Sequence, residues 1–289
     1  MADVCRGVDV GFAGLGFGKV AFLGVVQGVT ELMPISSSAH MRVVPALLGW
    51  PDPGAAFSAA MQSAALLAVV TYFWRDVSQI AGGSLRALGQ RRFDDPHLRM
   101  SGLIILATIP IGLAGLLLAP VLNACNSPLR SLPAIGVVCL VMAGLLAWAE
   151  ASARHGRTMA AARLPDALAV GLAQIGALIP GVSRSGSTLT AALALGFQRD
   201  EAARFSFLLG LPAIALAGAK EIWELHKAHL SGHGWAVLSV GLIFGALSSF
   251  VAIWALMRVL ERFSSWPFVI YRAVLGIALI AGSFAGLLR

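Results

Sequence analysis

Residues 164–197 read LPDALAVGLAQIGALIPGVSRSGSTLTAALALGF, and their pattern gives the clearest indication of the fold. Both of its ends are apolar, but the polar run IPGVSRSGST at 179–188 interrupts them. Each apolar half is shorter than the roughly 20 residues that a helix needs to cross a ~30 Å hydrocarbon core. Two short halves around a polar break are typical of a re-entrant helix–loop–helix hairpin. The alternative, an ordinary loop between full spans, stays open.

A second broken region occurs near the start of the chain. Residues 17–49 are also apolar, and MPISSSAH at 33–40 interrupts them. The segments LGVVQGVTELMPISSS and VGLAQIGALIPGVSRS share an apolar lead, a glutamine, a proline and a serine cluster. The similarity indicates that the two breaks are related copies of one motif.

The rest of the chain has the composition of a membrane protein. Hydrophobic residues make up 58% of it and charged residues 12%, and the mean hydropathy is +0.82. A soluble domain carries about 25% charge, so a large soluble core is disfavoured. We therefore predict six spanning helices, with tryptophans and tyrosines near several of their ends. The predicted spans are roughly 54–75, 99–120, 130–150, 201–220, 235–258 and 268–288.

The arginines and lysines predict an orientation. One face bears the 75–99, 151–166, 198–204 and 258–272 connections and holds 13 of them, whereas the other face holds seven. By the positive-inside rule the first face is cytoplasmic, so both termini are expected outside. The first hairpin then enters from outside and the second from the cytoplasm.

These observations predict an all-α integral membrane protein with six spanning helices and two re-entrant hairpins, or ten helical segments. Three spans follow each hairpin, and three is odd, so the halves have opposite topology, as in an inverted repeat. We expect one membrane domain, with repeat one at about 17–150 and repeat two at about 164–288.

Other function classes receive little support. The net charge of +7 forms no dense basic patch with aromatics, so no nucleic-acid partner is expected. The cysteines Cys5, Cys125 and Cys139 form no CxxC pair, which disfavours a disulfide framework or a zinc site. We also expect no cleavable signal peptide at the start of the chain.

The first break places ionisable groups within apolar sequence. Gln27 and Glu31 are four residues apart and share a helix face, and Pro34 should end that helix. Ser36 or Ser37 is then placed to cap the next helix, where His40 lies over the same spot. Ionisable groups are costly in lipid and are candidates for function. The alternatives are purely structural: Gln27 bridges two helices, the serines only cap a helix, and Glu31 or His40 has no role in chemistry.

The second break has the composition of an anion site. Gly181 and Gly186 allow tight turns, Arg184 offers a fork suited to phosphate oxygens, and a helix starting near Ser185 aims its N–H groups into the break. The alternative is that Arg184 snorkels at a helix end. Further hydroxyls come from Ser183, Ser185 and Thr188.

If the two helix starts meet near the midplane, they form a pocket for an anion, most plausibly phosphate. It would hold an acid/base pair and a hydroxyl nucleophile, which points to phosphoryl chemistry.

At these motifs the chain resembles the undecaprenyl-diphosphate phosphatase family, also called bacitracin-resistance proteins. LGVVQGVTELMPISSSAH is similar to that family's (E/Q)xxxE motif with its trailing serines and histidine, and PGVSRSGST to its PGxSRSxxT motif. FSAAMQSAALLAVVTYFWRD resembles the family's next helix, and the similarity covers nearly the whole chain.

The resemblance implies hydrolysis of undecaprenyl diphosphate in the bacterial inner membrane, which recycles the lipid carrier for peptidoglycan. It implies polyprenyl diphosphate and membrane lipid as partners, leaves a homodimer open, and implies stimulation by Mg²⁺ or Ca²⁺ that is not tightly bound. Glu31 is a metal candidate, but Gln27 stands where the family often has glutamate, which weakens that role. Carried over by position, the catalytic set is Glu31, Ser37, His40, Ser183, Arg184 and Thr188, with Gln27 in support.

Two chemical schemes and two functions stay open. Either Ser37 attacks the terminal phosphorus with help from His40 or Glu31, or one of these two groups activates water directly. Ser36, Gly181, Ser185 and Gly186 would help to bind the substrate. The main alternative to an enzyme is a lipid flippase or transporter, since broken helices in inverted repeats also suit alternating access.

Overall fold

The structure is a computed structural model that describes residues 9–122 and 128–286, with the side chains of 119–122 left out. Cys5, Cys125 and both chain ends lie outside these ranges, so the predictions for them stay predictions. The described chain forms twelve α-helices: α1 (Phe17–Leu32), α2 (Ser37–Leu47), α3 (Ala55–Ala60), α4 (Gln62–Tyr72), α5 (Trp74–Gly89), α6 (Pro96–Leu122), α7 (Leu132–Ser152), α8 (Leu164–Ile175), α9 (Arg184–Ala194), α10 (Arg199–Lys227), α11 (Gly232–Arg262) and α12 (Trp266–Phe284).

Six helical stretches are long and apolar enough to cross a membrane, as predicted. α3 and α4 together make the first, and α6, α7, α10, α11 and α12 make the others. α10 is the most buried of the six and lies centrally, whereas α6 is the least buried. Leucines on α6 such as Leu116 and Leu117 are 75–79% exposed, as side chains that face lipid should be.

The prediction of a connecting loop at 75–99 is wrong. Residues 74–89 form α5, and α6 already begins at Pro96. Asp76 in the first turn and Arg86 in the last both suit the helix dipole, so the charges that suggested a loop favour a helix. Because α5 is added and the first span is split into α3 and α4, there are twelve helices among the described residues, not ten.

Both broken regions are short helix pairs. α1 has 16 residues and α2 has 11, while α8 has 12 and α9 has 11. At 1.5 Å per residue none of these four helices reaches the ~30 Å of a hydrocarbon core. The breaks are narrower than the polar runs, since α2 begins at Ser37 and α9 at Arg184, which puts His40 and Thr188 on helices.

Glycines let α1 lie directly against α11. A Cβ added at Gly24 would come within 2.5 Å of the Gly241 carbonyl, and one added at Gly28 within 2.3 Å of the Gly245 carbonyl. Both helices therefore carry a glycine pair spaced by four residues at their contact, a pattern that allows close approach of helices in lipid. The Ser249 hydroxyl donates to the Gly28 carbonyl at 3.1 Å and fixes the register.

Two other helix pairs use the same device. A Cβ at Gly171 of α8 would meet the Ala107 carbonyl of α6 at 2.4 Å. A Cβ at Gly276 of α12 would meet the Gly136 carbonyl of α7 at 2.7 Å. The first helix of each broken pair thus packs on a long helix from the other half of the chain, α1 on α11 and α8 on α6.

Ion pairs tie the chain together on the arginine-rich face. Buried Glu150 at the end of α7 accepts from Arg199 Nε at 2.7 Å and from the Ser265 hydroxyl at 2.8 Å. Arg157 in the α7–α8 connection donates to both carboxylate oxygens of Asp166, and that hydrogen bonding raises the pKa of its guanidinium. These contacts hold the connections that position the second break.

Candidate active site

The first break is held by a capped and strained turn. Ser36 has a φ of 75°, a left-handed conformation that is uncommon outside glycine. Its hydroxyl accepts a hydrogen bond from the Ala39 N–H at 3.4 Å and caps α2. Of the two serines considered as caps, Ser36 therefore takes the role. Ser37, the first residue of α2, keeps its hydroxyl for other contacts.

The second break repeats this construction. Ser183 has a φ of 68°, and its hydroxyl accepts from the Gly186 N–H at 3.2 Å to cap α9. α9 begins at Arg184, one residue earlier than predicted. Gly181 has a φ of 97°, and a Cβ there would lie 3.1 Å from the Ile135 carbonyl, so both the turn and the space favour glycine. Strained residues at both breaks are typical of functional sites.

The two breaks contact one another. The Gly181 N–H donates to the Ser38 hydroxyl at 3.1 Å. In the other direction, the Ser185 hydroxyl donates to the Met33 carbonyl at 3.0 Å. The structure therefore brings together two motifs that are about half a chain apart, as the sequence predicted.

Glu31 is the centre of the site. One carboxylate oxygen accepts from Arg184 Nη2 at 2.6 Å. The other accepts from the Ser37 hydroxyl at 2.6 Å and from Gln27 Nε2 at 3.0 Å. The Glu31 side chain is only 8% exposed and that of Arg184 only 14%, so water screens this pair weakly. A serine hydroxyl bonded to a shielded carboxylate has the geometry that a serine nucleophile and its general base require.

His40 lies against the first break, as its spacing from Ser36 predicted, and its other ring nitrogen contacts a residue outside both motifs. Its Nδ1 is 2.7 Å from the Ser36 carbonyl, and its Nε2 is 2.6 Å from the Tyr271 hydroxyl. Because a carbonyl only accepts, Nδ1 carries a proton, and in the neutral ring Nε2 accepts from Tyr271. The ring therefore contacts the backbone of the break, and it makes no hydrogen bond to Ser37.

Arg272 is a site residue that the sequence reading missed. The count of cytoplasmic cations in the 258–272 connection includes Arg272, and this assignment is wrong, because Arg272 lies within α12 and is 1% exposed. Its guanidinium donates to the Pro34 carbonyl at 3.1 Å, to the Gly181 carbonyl at 2.7 Å and to the Val182 carbonyl at 3.0 Å. The signal was an arginine inside the predicted span 268–288, which by default marks a functional position.

Other predicted residues, Thr188, Gly186 and Gln27, lie next to the residues described above. The Thr188 hydroxyl donates to the Arg184 carbonyl at 2.8 Å, and Thr188 is 1% exposed. A Cβ at Gly186 would lie 2.8 Å from Arg272 Nη1, so glycine makes room for that guanidinium. Gln27 is buried, and its Oε1 has no hydrogen-bond donor among the described residues.

An apolar groove adjoins the first break. It has a volume of about 560 Å³ and runs along α1, α2 and the start of α12. His40 and Tyr271 form part of its wall. Its other lining is mainly aliphatic or aromatic, with residues such as Val26, Met33 and Phe268. The groove therefore offers an apolar surface beside the polar site.

The site fits a tightly held divalent cation poorly. Mg²⁺ and Ca²⁺ prefer several oxygen ligands, including carboxylates. Glu31 is the carboxylate described at the breaks, and Arg184, Ser37 and Gln27 already occupy both of its oxygens. Within residues 9–122 and 128–286, no group of three His, Cys, Asp or Glu side chains is placed to hold a metal.

Comparison with known proteins agrees with the motifs. The family described as Bacitracin resistance protein BacA matches residues 20–278. "Undecaprenyl-diphosphatase 2" of Mesorhizobium japonicum is 69% identical over 261 residues, which cover 90% of this chain and 99% of the relative. "Undecaprenyl-diphosphatase" of Gloeobacter violaceus is 49% identical over 95% of this chain and 94% of its own. The protein of the same name from Trichormus variabilis is 47% identical over 92% and 84%.

Proposed function

The chain belongs to the bacitracin-resistance protein family BacA, and we propose that it hydrolyses undecaprenyl diphosphate to undecaprenyl phosphate and inorganic phosphate. Such a reaction recycles the lipid carrier of envelope polymers, and bacitracin resistance is consistent with the family name. The observation that carries the proposal is the Ser37 hydroxyl 2.6 Å from the Glu31 carboxylate, with Arg184 on the other carboxylate oxygen.

In the proposed reaction, Ser37 Oγ attacks the terminal phosphorus while Glu31 takes the hydroxyl proton. The anhydride P–O bond breaks, and undecaprenyl phosphate leaves with the bonding electrons. Water then attacks the phosphoserine, so inorganic phosphate leaves and the hydroxyl of Ser37 is restored. Arg184 stabilises the charge that develops on the phosphoryl oxygens, assisted by backbone N–H groups at the start of α9.

Glu31 suits the role of base better than His40. Glu31 already accepts the Ser37 proton in a hydrogen bond, and geometry comes first in choosing a general base. His40 is held by Ser36 and Tyr271, so it supports the turn that presents Ser37. Direct activation of water by Glu31 or His40 remains the rival scheme.

The apolar groove beside His40 is the proposed seat of the first isoprene units of the substrate. Its aliphatic lining matches a hydrocarbon chain, and the part of its wall formed by His40 and Tyr271 would bring the diphosphate close to the break. The lipid would then enter from the side, without leaving the membrane.

A divalent cation is proposed to arrive on the diphosphate and not on the protein. The occupied oxygens of Glu31 support this view, and Gln27 adds only a neutral amide oxygen. When bound to the substrate, Mg²⁺ or Ca²⁺ would neutralise phosphate charge. No step of the reaction above passes through it.

We also propose that the two broken pairs are re-entrant hairpins of an inverted repeat. In each half a glutamine, Gln27 or Gln174, lies nine residues before a strained serine cap, Ser36 or Ser183. α1 of the first half packs on α11 of the second half, and α8 of the second half packs on α6 of the first. A two-fold relation between the halves predicts such reciprocal packing. Six spans in total would put both termini on the same side of the membrane, and the arginine distribution predicts that this side is the outside. A homodimer stays a prediction that native mass spectrometry would test.

Phosphate release from undecaprenyl diphosphate by purified protein in detergent tests the proposal. Ser37→Ala should remove most activity, while the exposed and remote Ser239→Ala should keep it. Near wild-type turnover of Ser37→Ala would exclude the serine nucleophile. Arg184→Ala should lower activity in either scheme. If wild type releases no phosphate but moves the lipid across sealed liposomes, the protein is a flippase, which the paired breaks would also suit.

A further inference from the structure

Helix α5 presents an outer surface that no described part of the chain covers. Its inner side packs on the first turns of α6, where the Ser84 and Ser101 hydroxyls are 2.7 Å apart and Gly83 lies against His97. On the outer side, Trp74, Leu85 and Leu88 are 51–71% exposed. Trp74 and Leu85 are eleven residues apart and lie on one side of the helix with Ser78 and Ala81 between them, and Leu88 follows Leu85 by one turn, so the three share an apolar stripe that one serine interrupts.

Arginines flank this stripe. Arg75 and Arg86 project from one side of α5, and Arg91 and Arg92 follow in the turn beside Phe93, which is 72% exposed. All four arginines are exposed, and across the described chain none of them forms an ion pair.

The acidic residues of this segment leave an excess of positive charge. Asp76 is neutralised by Arg204 of α10, to which both of its oxygens are bonded. Asp94 and Asp95 remain, and Asp95 caps the N–H of His97. The surface therefore carries four arginines without an ion pair and only two remaining aspartates. This excess of positive charge would attract an anionic partner.

Chain connections keep α5 at the membrane surface. Only Phe73 separates it from the span that ends at Tyr72, and the chain re-enters a span with α6 at Pro96. The 27 residues of α6 extend about 40 Å, which is close to the ~40–45 Å of a bilayer with its headgroups. When α6 spans, its first turn and the adjoining α5–α6 turn therefore lie at headgroup depth.

From this placement we infer that α5 and the turn after it form a binding surface for anionic phospholipid. The apolar stripe (Trp74, Leu85, Leu88) would sit at the boundary of the acyl chains, and the arginines Arg75, Arg86, Arg91 and Arg92 would bind the phosphates of lipids such as phosphatidylglycerol. An apolar face beside arginines on a helix at the interface is the pattern of interfacial amphipathic helices. The surface is separate from the proposed active site and independent of the proposed reaction.

Native mass spectrometry of protein from mixed phosphatidylcholine and phosphatidylglycerol micelles tests the inference. The wild type should retain phosphatidylglycerol in preference to phosphatidylcholine. An arginine near an anionic surface contributes about 1 kcal/mol to binding. The preference of the triple variant R86Q/R91Q/R92Q for phosphatidylglycerol should therefore be lower than that of the wild type by a factor of more than about ten. The matched control R154Q/R258Q/R262Q removes the same charge from exposed positions on the same face and should keep the preference.

Three outcomes would overturn the inference. The first is a triple variant that keeps the wild-type lipid preference with an unchanged thermal midpoint. The second is an equal loss in the control variant, which would reduce the effect to net charge. The third is a change in protomer number without a change in retained lipid, which would make the surface an interface between copies of the chain. L85S/L88S should separately lower total lipid retention while all four arginines are kept.

Discussion

Replacing Glu31 by glutamine is the sharpest test of the site. The substitution keeps the size of the side chain and an oxygen that accepts from Arg184, but it removes the charge and the base. The Ser37 hydroxyl, now 2.6 Å from a carboxylate, would face a neutral amide that takes no proton. We expect the chemical step to fail while the diphosphate still binds, because Arg184 stays in place.

General-base catalysis contributes about 10²- to 10⁴-fold, so kcat of Glu31→Gln should fall by that factor with little change in KM. Phosphate release from undecaprenyl diphosphate in detergent measures both constants. The kcat of Ser37→Ala should fall at least as far, since this substitution removes the nucleophile. The double variant should match Ser37→Ala alone, because residues that act as a unit are not additive.

Two results would contradict a catalytic pair of Ser37 and Glu31. If Glu31→Gln keeps kcat within a few-fold of wild type, Glu31 is not the base. If the double variant loses the product of the two single effects, the residues act independently, and the hydrogen bond between them is not part of the chemistry. A thermal midpoint close to that of wild type would show that the losses do not reflect unfolding.

The other predictions concern the surroundings of the site. Tyr271→Phe removes the hydrogen bond to His40, which is worth about 1 kcal/mol, so kcat should fall about fivefold with the fold intact, and unchanged kinetics would remove Tyr271 from the site. Gly186→Ala should lower activity and cost about 1–3 kcal/mol of stability, because its Cβ would displace Arg272, whereas Gly144→Ala in open space should leave the thermal midpoint unchanged or higher. Excess chelator should lower turnover, with recovery on added Mg²⁺, and full activity in chelator would exclude a cation on the diphosphate.

The membrane helices and the breaks could be predicted because apolar length is a local property. Six spans and two short pairs follow from how long each apolar run continues before a proline or a serine cluster. α5 was not predicted, because its charged residues are also typical of a loop and because Trp74 and Leu85, which share one side of the helix, are three turns apart. The glycine contacts between α1 and α11 were also not predicted, because a glycine pair in one helix does not indicate which other helix packs against it.

The residues of the site could be predicted, but the contacts between them could not. Both motifs were identified as meeting, yet Glu31 showed no nearby cation in sequence, and its partner Arg184 lies 153 residues away. His40 follows Ser37 by three residues, which suggested a pair, but the cap at Ser36 turns the ring toward Tyr271. Such pairings depend on how helices from two halves are packed, and one sequence carries no record of that.

The clamp made by Arg272 has a consequence for how the protein assembles. An arginine at the centre of a lone spanning helix costs about 2.5–3.5 kcal/mol on insertion, and Arg272, the seventh of the 19 residues of α12, would bear part of that cost. The acceptors that offset this cost are carbonyls at Pro34, Gly181 and Val182, so they exist together only when both breaks are formed and touching. α12 follows both breaks in the chain, so we expect it to pack after both breaks have formed. We therefore expect Arg272 to disfavour a misassembled chain, because the guanidinium would then lack these carbonyl partners.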